Sequence, residues 1–576
     1  MEFSNSETIA ETHRPHVSTS IMPPSTSAWR RFIHSLRAVS FPTLVIAVSM
    51  TVPLITLVWI ALTGEGGSFE HIKNTVLTTY IFNTISLLVL VGILVSIIGI
   101  PLAWLIAQCE FPGRRFFNWA LVLPLAMPAY VVAYVYTDLL DYAGPVQIQL
   151  RDWFGWQTPD DYWFFDIRSI PGAALVLSFV LYPYLYLLVR ANFMSQNASF
   201  LQAARSLGKS KWQSFYQITL PLARSAIVAG LILVLMETLA DFATVNYFAV
   251  NTLTTAVYDT WLGHYDLVSA AKLSVIMVLG VFILMYLEKV QKGQRQESGS
   301  SKVNSLPIRY TLHGAAAKWA FAYCAFVFTL GFLLPALVLL RYVWTYFAQA
   351  WSSELISYTL NSLFIASITA IVAVCIAILI NQVIRFSPSK INKLNLQVSS
   401  SGYAIPGTVM AIGVLIPLGM MDEWINEAAV ALNLSMPGLV LSGSVVVIIV
   451  AHVMRFTAIA NKGVESHFAH IPAALDDAAM VLKASKLSVF KRIHLALLKP
   501  SILVAFLLIF VESMKELSAA ILLRPFDFQT LPTYVYQYTS DEQLELASLG
   551  ALIICLVGLV PLLVLNRSIE TSKSEA

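Results

Sequence analysis

Long, unbroken apolar runs recur from residue 41 to residue 566, and nothing else constrains this chain as strongly. A helix that crosses a bilayer needs about 20 mostly apolar residues. Runs at 41–62, 80–108, 116–139, 173–194, 222–248, 268–288, 317–341, 357–384, 396–419, 436–456, 500–523 and 547–566 meet that need, so twelve spanning helices are predicted. A membrane β-barrel is excluded, because its strands read as short alternating segments. A soluble domain is excluded by composition: only 12% of the residues are charged and 57% are hydrophobic, against about 25% charged in an ordinary domain. Pro101 is expected to kink the second run.

Basic residues set the orientation, since Lys and Arg gather on the cytoplasmic side of spanning helices. With the N-terminus inside, the inner connections receive Arg114 and Arg115, then Lys209 and Lys211, a basic stretch from Lys289 to Lys318, Lys390 and Lys393, and Lys483 to Lys499. The outer connections receive only Lys73, Arg151, Arg168 and Arg524, and are instead acidic, with Asp138, Asp141, Asp160, Asp161, Asp422 and Asp541 among others. Both termini are therefore expected in the cytoplasm. Residues 1–28 are polar and predict a disordered tail. The run Phe41–Leu62 is too long for a signal-peptide core and reads as the first span. A net charge of +3 gives no reason to invoke nucleic acid. Cys109, Cys324, Cys375 and Cys555 lie far apart without metal or redox spacing, and read as small packing residues.

The chain repeats itself. Gln202-Ala203-Ala204 matches Asp477-Ala478-Ala479 at an offset of 275, which also carries Phe215 to Phe490, Glu237-Thr238 to Glu512-Ser513 and Asp241 to Glu516. Earlier in each half the offset is 278, carrying Asn83-Thr84 to Asn361-Ser362 and Pro128 to Pro406. Six spans separate the copies, an even number, so the repeats run parallel about an axis along the membrane normal. The expected organisation is a tail over 1–40, a first six-helix half over 41–288, a basic cytoplasmic linker over 289–316, a second six-helix half over 317–566 and a tail over 567–576. Any path through the molecule should lie between the halves.

After the fourth span of each half comes a polar cytoplasmic segment of helical character, 201–227 and 475–502. Each carries an Ala-Ala pair, which lets another surface approach closely, and a basic middle. These segments resemble the EAA loops of ATP-binding-cassette importer permeases, whose pattern is roughly E-A-A, three residues, G, nine residues, I-x-L-P. In the first copy Ala203, Ala204, Gly208, Ile218, Leu220 and Pro221 match, with Gln202 in place of Glu. In the second Ala478, Ala479, Ile493 and Leu495 match, with Asp477 for Glu, Lys483 for Gly and Ala496 for Pro. Glycine permits a tight turn, whereas Lys483 is expected to need an ordinary backbone conformation, so the two turns are expected to differ. More of the chain is similar to the fused, two-half permeases of ferric iron importers: Met236-Glu237-Thr238-Leu239-Ala240-Asp241-Phe242-Ala243-Thr244-Val245 looks like their M-E-T-L-A-D-F-G-T-V signature, with Ala243 replacing Gly. Leu522-Leu523-Arg524-Pro525-Phe526 and Asp160-Asp161-Tyr162-Trp163-Phe164 also resemble that branch.

The resemblance implies an all-α membrane protein of the type I importer permease fold in the bacterial inner membrane, carrying ferric iron from a periplasmic binding protein. It implies that the EAA loops dock two copies of an ATPase subunit. Thiamine, polyamine and phosphonate permeases are built alike and remain alternatives, and a secondary cation transporter is the alternative of another class. The chain carries no engine of its own: Gly208-Lys209-Ser210 mimics the end of a P-loop, but the first glycine of that motif would fall on Ala203. No cofactor is expected on this chain, ATP being used by the partner. His467 and His470 lack a third ligand and read as surface residues, so no metal site is expected.

Charges inside the membrane cost about 2.5–3.5 kcal/mol on insertion scales and usually face a cavity or a partner. Glu237 and Asp241, four apart, share one helix face, as do Glu512 and Glu516. Counted at about 1.5 Å per residue from Pro221, Glu237 falls some 24 Å from the cytoplasmic end. All four are candidates for a translocation lining, with Asp241 and Glu516 expected nearer water as a rim. The competing reading is structural, with the carboxylates held by Thr238 and Ser513 or paired with Lys515. The aromatic and acidic loop 140–172 is expected at the outer surface, either against the binding protein or anchored in the interface.

Overall fold

The computed structural model describes residues 41–196, 206–293 and 309–574. The tail 1–40 and most of the linker lie outside these. Apart from one pair of two-residue strands, the described chain is helical. Its long helices are α1 (Phe41–Thr63), α2 (Leu77–Gln108), α3 (Ala129–Leu140), α4 (Ile170–Ser195), α5 (Arg224–Ala240) and α6 (Leu267–Gly293). The second half repeats them as α7 (Ala315–Ala350), α8 (Ser353–Phe386), α9 (Gly407–Ala431), α10 (Val445–His470), α11 (Leu495–Lys515) and α12 (Leu544–Ser574). Among the described residues ten helices are long and apolar enough to cross a membrane, or up to twelve if each of two bent pairs is one span.

The bends correct several expected spans. The run 116–139 is two helices meeting at 92°, because Pro128 forces Met127 into an extended conformation and restarts the helix. At its equivalent, Pro406 does the same, and α9 begins at Gly407 rather than at 396. The run 436–456 moves to Val445–His470: the Asp422 carboxylate accepts the amides of Leu441 and Ser442, both at 2.8 Å, and holds that segment as a loop until Ser444 caps α10. The runs 222–248 and 500–523 are both cut short, at Ala240 and Lys515, where Asp241 and Glu516 turn extended and a short helix follows.

The repeat seen in sequence is a repeat of hydrogen bonds. The Asn83 amide donates to the Asn251 carbonyl at 2.9 Å, and that of Asn361 to Gln529 at 3.0 Å. The amides of Leu253 and Leu531 donate to the hydroxyls of Thr84 and Ser362. Within each half the second and fourth spans pack along one another, α2 on α4 and α8 on α10. Between halves, α1 lies against α9, and its Pro53 carbonyl would stand 2.9 Å from a Cβ at Gly413, so glycine is what lets the helices meet. Cys109–Glu110 pairs in parallel with Tyr310–Thr311, while Glu110 binds Arg114 at 3.1 Å and Arg309 at 3.4 Å, tying the end of the linker to the first half.

Candidate functional site

The helix breaks after α5 and α11 bring all four candidate carboxylates to one place. A cavity of about 130 Å³ lies between the halves, and Glu237, Asp241, Glu512 and Glu516 line it together with Arg455 and Lys515. The short helices Ala243–Tyr247 and Ser518–Leu523 begin there, and α5 and α11 end there. Such discontinuous helices leave backbone groups free inside the membrane, which is tolerated where they line a cavity.

The four carboxylates differ in what they hold. Asp241 caps the helix after it, accepting the amides of Thr244 at 3.0 Å and Val245 at 3.3 Å and the Thr244 hydroxyl at 3.0 Å. Glu516 does the same for Ala519, at 2.9 Å, and Ala520, at 3.2 Å. It also binds Arg455 at 2.9 Å and His452 at 3.1 Å, and the other His452 ring nitrogen meets Ser513 at 2.8 Å. Asp241 is half-buried, whereas Glu516 is buried and so is not the wet rim residue expected from counting turns. Glu512 pairs with Lys515 at 2.9 Å, and Lys515 also donates to the Leu125 carbonyl of the first half at 3.3 Å. The structural reading thus holds for Glu512, while Thr238 turns to the Val234 carbonyl and touches no carboxylate. Glu237 makes no ion pair among the described residues, and Tyr403 of the other half neighbours it. Because α5 starts at Arg224 after a 61° bend, the straight count from Pro221 overstates its depth.

Sequence reasoning missed Arg455 and His452. They sat near the edge of a hydropathy window, and only the true bounds of α10 bury them mid-helix. Their i,i+3 spacing inside an apolar run was the available signal. Both belong to the second half alone: the equivalent positions in α4 are Val180 and Leu177, and the equivalent of Lys515 is Ala240.

In the EAA-like loops, Gln202, Ala203 and Ala204 lie outside the described residues. Gly208 and Lys483 are both described, and both have a left-handed backbone, φ +72° and +59°. Lys483 therefore does not take the ordinary conformation expected of it. Its turn is closed by the amides of Lys483 and Ala484 on the carbonyls of Met480 and Ala479. The next turn is also shared: Ser210 caps Gln213 and Ser485 caps Ser488, each at 3.2 Å, and a π-turn follows at Phe215–Thr219 and Phe490–His494. Asp477 and Ala478 are exposed and Ala479 is buried. Asp476, which the motif passes over, anchors the loop: it binds Arg385 of α8 at 2.7 Å and His494 at 2.7 Å. Burial pushes its carboxyl upward, but the hydrogen bonds from His494 and Arg385 outweigh this and hold it below the usual carboxylate range.

Among the described residues no cluster of three or more His, Cys, Asp or Glu side chains is arranged to hold a metal ion.

Comparison with known proteins agrees with this architecture. Residues 99–292 match the family described as binding-protein-dependent transport system inner membrane component. The chain is 24% identical over 493 residues to Fe(3+)-transport system permease protein FbpB 2 of Haemophilus influenzae, covering 84% of this chain and 89% of that one. It is 25% identical over 490 residues to ferric transport system permease protein FbpB of Actinobacillus pleuropneumoniae, covering 81% of this chain and 68% of that one. It is 31% identical over 208 residues to molybdenum transport system permease protein ModB of Escherichia coli, covering 35% of this chain and 87% of that one.

Proposed function

The chain belongs to the family of binding-protein-dependent transport system inner membrane components, and on that premise we propose that it is the path by which ferric iron crosses the inner membrane. A periplasmic binding protein delivers the ion to the acidic outer face. Two copies of a separate ATPase subunit dock on the two cytoplasmic loops, one per half, and both termini lie in the cytoplasm. The observation that carries this reading is the cavity between the halves, where four carboxylates meet two fixed cations, Arg455 and Lys515. That balance suits a cation and opposes an oxyanion such as molybdate. The relatives matching most of this chain's length are ferric permeases, which supports the same ion.

The loops supply the coupling. Each has a left-handed turn followed by a helix that leads to the span lining the cavity, directly in the second half and through a 61° bend in the first, so a push at the loop is carried to the breaks at Asp241 and Glu516. Uptake of radiolabelled ferric iron by cells with and without the chain tests the reading, with labelled molybdate as the second arm. Iron uptake that depends on the chain is the expected result. Dependence of molybdate uptake alone would overturn it.

A further inference from the structure

The two halves contribute carboxylates to the cavity symmetrically but cations asymmetrically. Asp241 and Glu516 are held by the helix N-termini that follow them, and Glu516 also by Arg455 and His452. Glu512 is held by Lys515. In the first half the positions of Lys515, Arg455 and His452 are Ala240, Val180 and Leu177, so Glu237 has no cation from its own half in these places; Tyr403 hydrogen-bonds it and Arg455 and Lys515 of the second half stand nearby, but neither cation forms an ion pair with it among the described residues. A second feature points to a ligand in the same cavity. Tyr130 lines it and is 4% exposed, yet its hydroxyl has no hydrogen-bond partner. A buried hydroxyl without a partner is costly to leave so. The C-terminal end of α5, three residues beyond Glu237, adds the negative end of a helix dipole, which favours a cation.

We propose that Glu237 is the single carboxylate of the cavity that takes the transported cation, a hard oxygen-seeking ion, with the Tyr130 hydroxyl as a further oxygen ligand, while Glu512 and Glu516 serve the packing of the second half. This rests on the reading of the cavity as a cation path, and it makes the site one-sided although the fold is two-fold. The cavity volume of about 130 Å³ leaves room for an ion with part of its hydration shell. With one carboxylate outside any ion pair, neutral oxygens and the cations Arg455 and Lys515 nearby, such a site binds weakly enough to release, as a path requires.

The test uses the purified full chain with its ATPase subunits in lipid nanodiscs, and terbium(III) as a hard trivalent probe whose luminescence is excited through nearby tyrosines, here Tyr130, Tyr184 and Tyr403. Glu237→Gln should lower the affinity of the tyrosine-excited signal about tenfold or more, the loss of one charged oxygen contact. Ala240→Lys, which copies the Glu512–Lys515 spacing into the first half, should lower it similarly with Glu237 still present. The double change Glu512→Gln with Lys515→Met, which removes an ion pair from the lining and keeps Glu237, should lower it less than Glu237→Gln does. A signal equal in wild type and Glu237→Gln, whether present or absent in both, overturns the proposal, as does loss in the double variant alone. Ferric uptake in cells is measured separately: if wild type carries no iron, the function proposed above fails, while the terbium arm still decides the site.

Discussion

Gly208 and Lys483 occupy the same left-handed turn in the two EAA-like loops, with φ of +72° and +59°. Only glycine adopts this conformation without steric cost; for other residues it costs about 1–2 kcal/mol. Lys483→Gly should therefore stabilise the second loop by up to about 1 kcal/mol, and Gly208→Lys should strain the first by a similar amount. In a transport assay the first change should be neutral or favourable and the second harmful. A harmful Lys483→Gly would show that the lysine side chain, exposed at that turn, makes a needed contact with the partner.

Ala478 and Ala479 are neighbours in the EAA-like motif, yet one is exposed and the other packs inward. A charged, bulky residue at 478, such as Ala478→Arg, should block docking of the ATPase subunit and abolish transport at normal abundance in the membrane. Ala479→Arg should instead lower abundance, because the side chain has no room and would bury an unpaired charge. Ala203 is the sequence equivalent of 478, and Ala203→Arg should behave like Ala478→Arg. Membrane immunoblots beside uptake measurements separate the outcomes.

Asp476 ties the second loop to α8 through Arg385 and to the π-turn through His494. Asp476→Asn should cost about 1.5–3 kcal/mol locally, the worth of hydrogen bonds to a charged group, and should uncouple ATP hydrolysis from transport before it affects membrane insertion. The carboxyl is held below its ordinary range. Its stabilisation is therefore fully present above the unfolded carboxylate value and is lost only as pH falls through the depressed folded value. Coupling in proteoliposomes should show no pH dependence from this group across the neutral range.

A Cβ at Gly407 would stand 2.6 Å from the Glu516 Oε1 and 2.9 Å from the Arg455 Nη1. The equivalent residue in the first half is Ala129, where no such ion pair exists. Gly407→Ala should displace the pair and cost about 1–3 kcal/mol of thermal stability in the purified complex. Ala129→Gly should cost less, about 0.5–1 kcal/mol, from backbone freedom alone. Equal shifts in the melting temperature would mean that the Arg455–Glu516 contact yields at no cost.

The sequence alone determined what depends on local composition and on duplication. Apolar length set the number of spans, since a bilayer demands about 20 residues per crossing whatever the packing. The offsets of 275 and 278 set the internal repeat, and the bonds of Asn83 and Asn361 later followed it. The same offsets brought Glu237 and Glu512 forward as a pair. Hydropathy was blind to the breaks at Met127–Pro128, Asp241 and Glu516, because a broken span and a straight one have the same composition. The partners of the charges were also out of its reach. Arg455 meets Glu516 across 61 positions and Lys515 meets the Leu125 carbonyl across 390, distances in sequence that only packing closes. Tertiary structure therefore decided which carboxylates meet a cation and which do not, because the strength of a buried charge is set by what stands within a few ångströms of it.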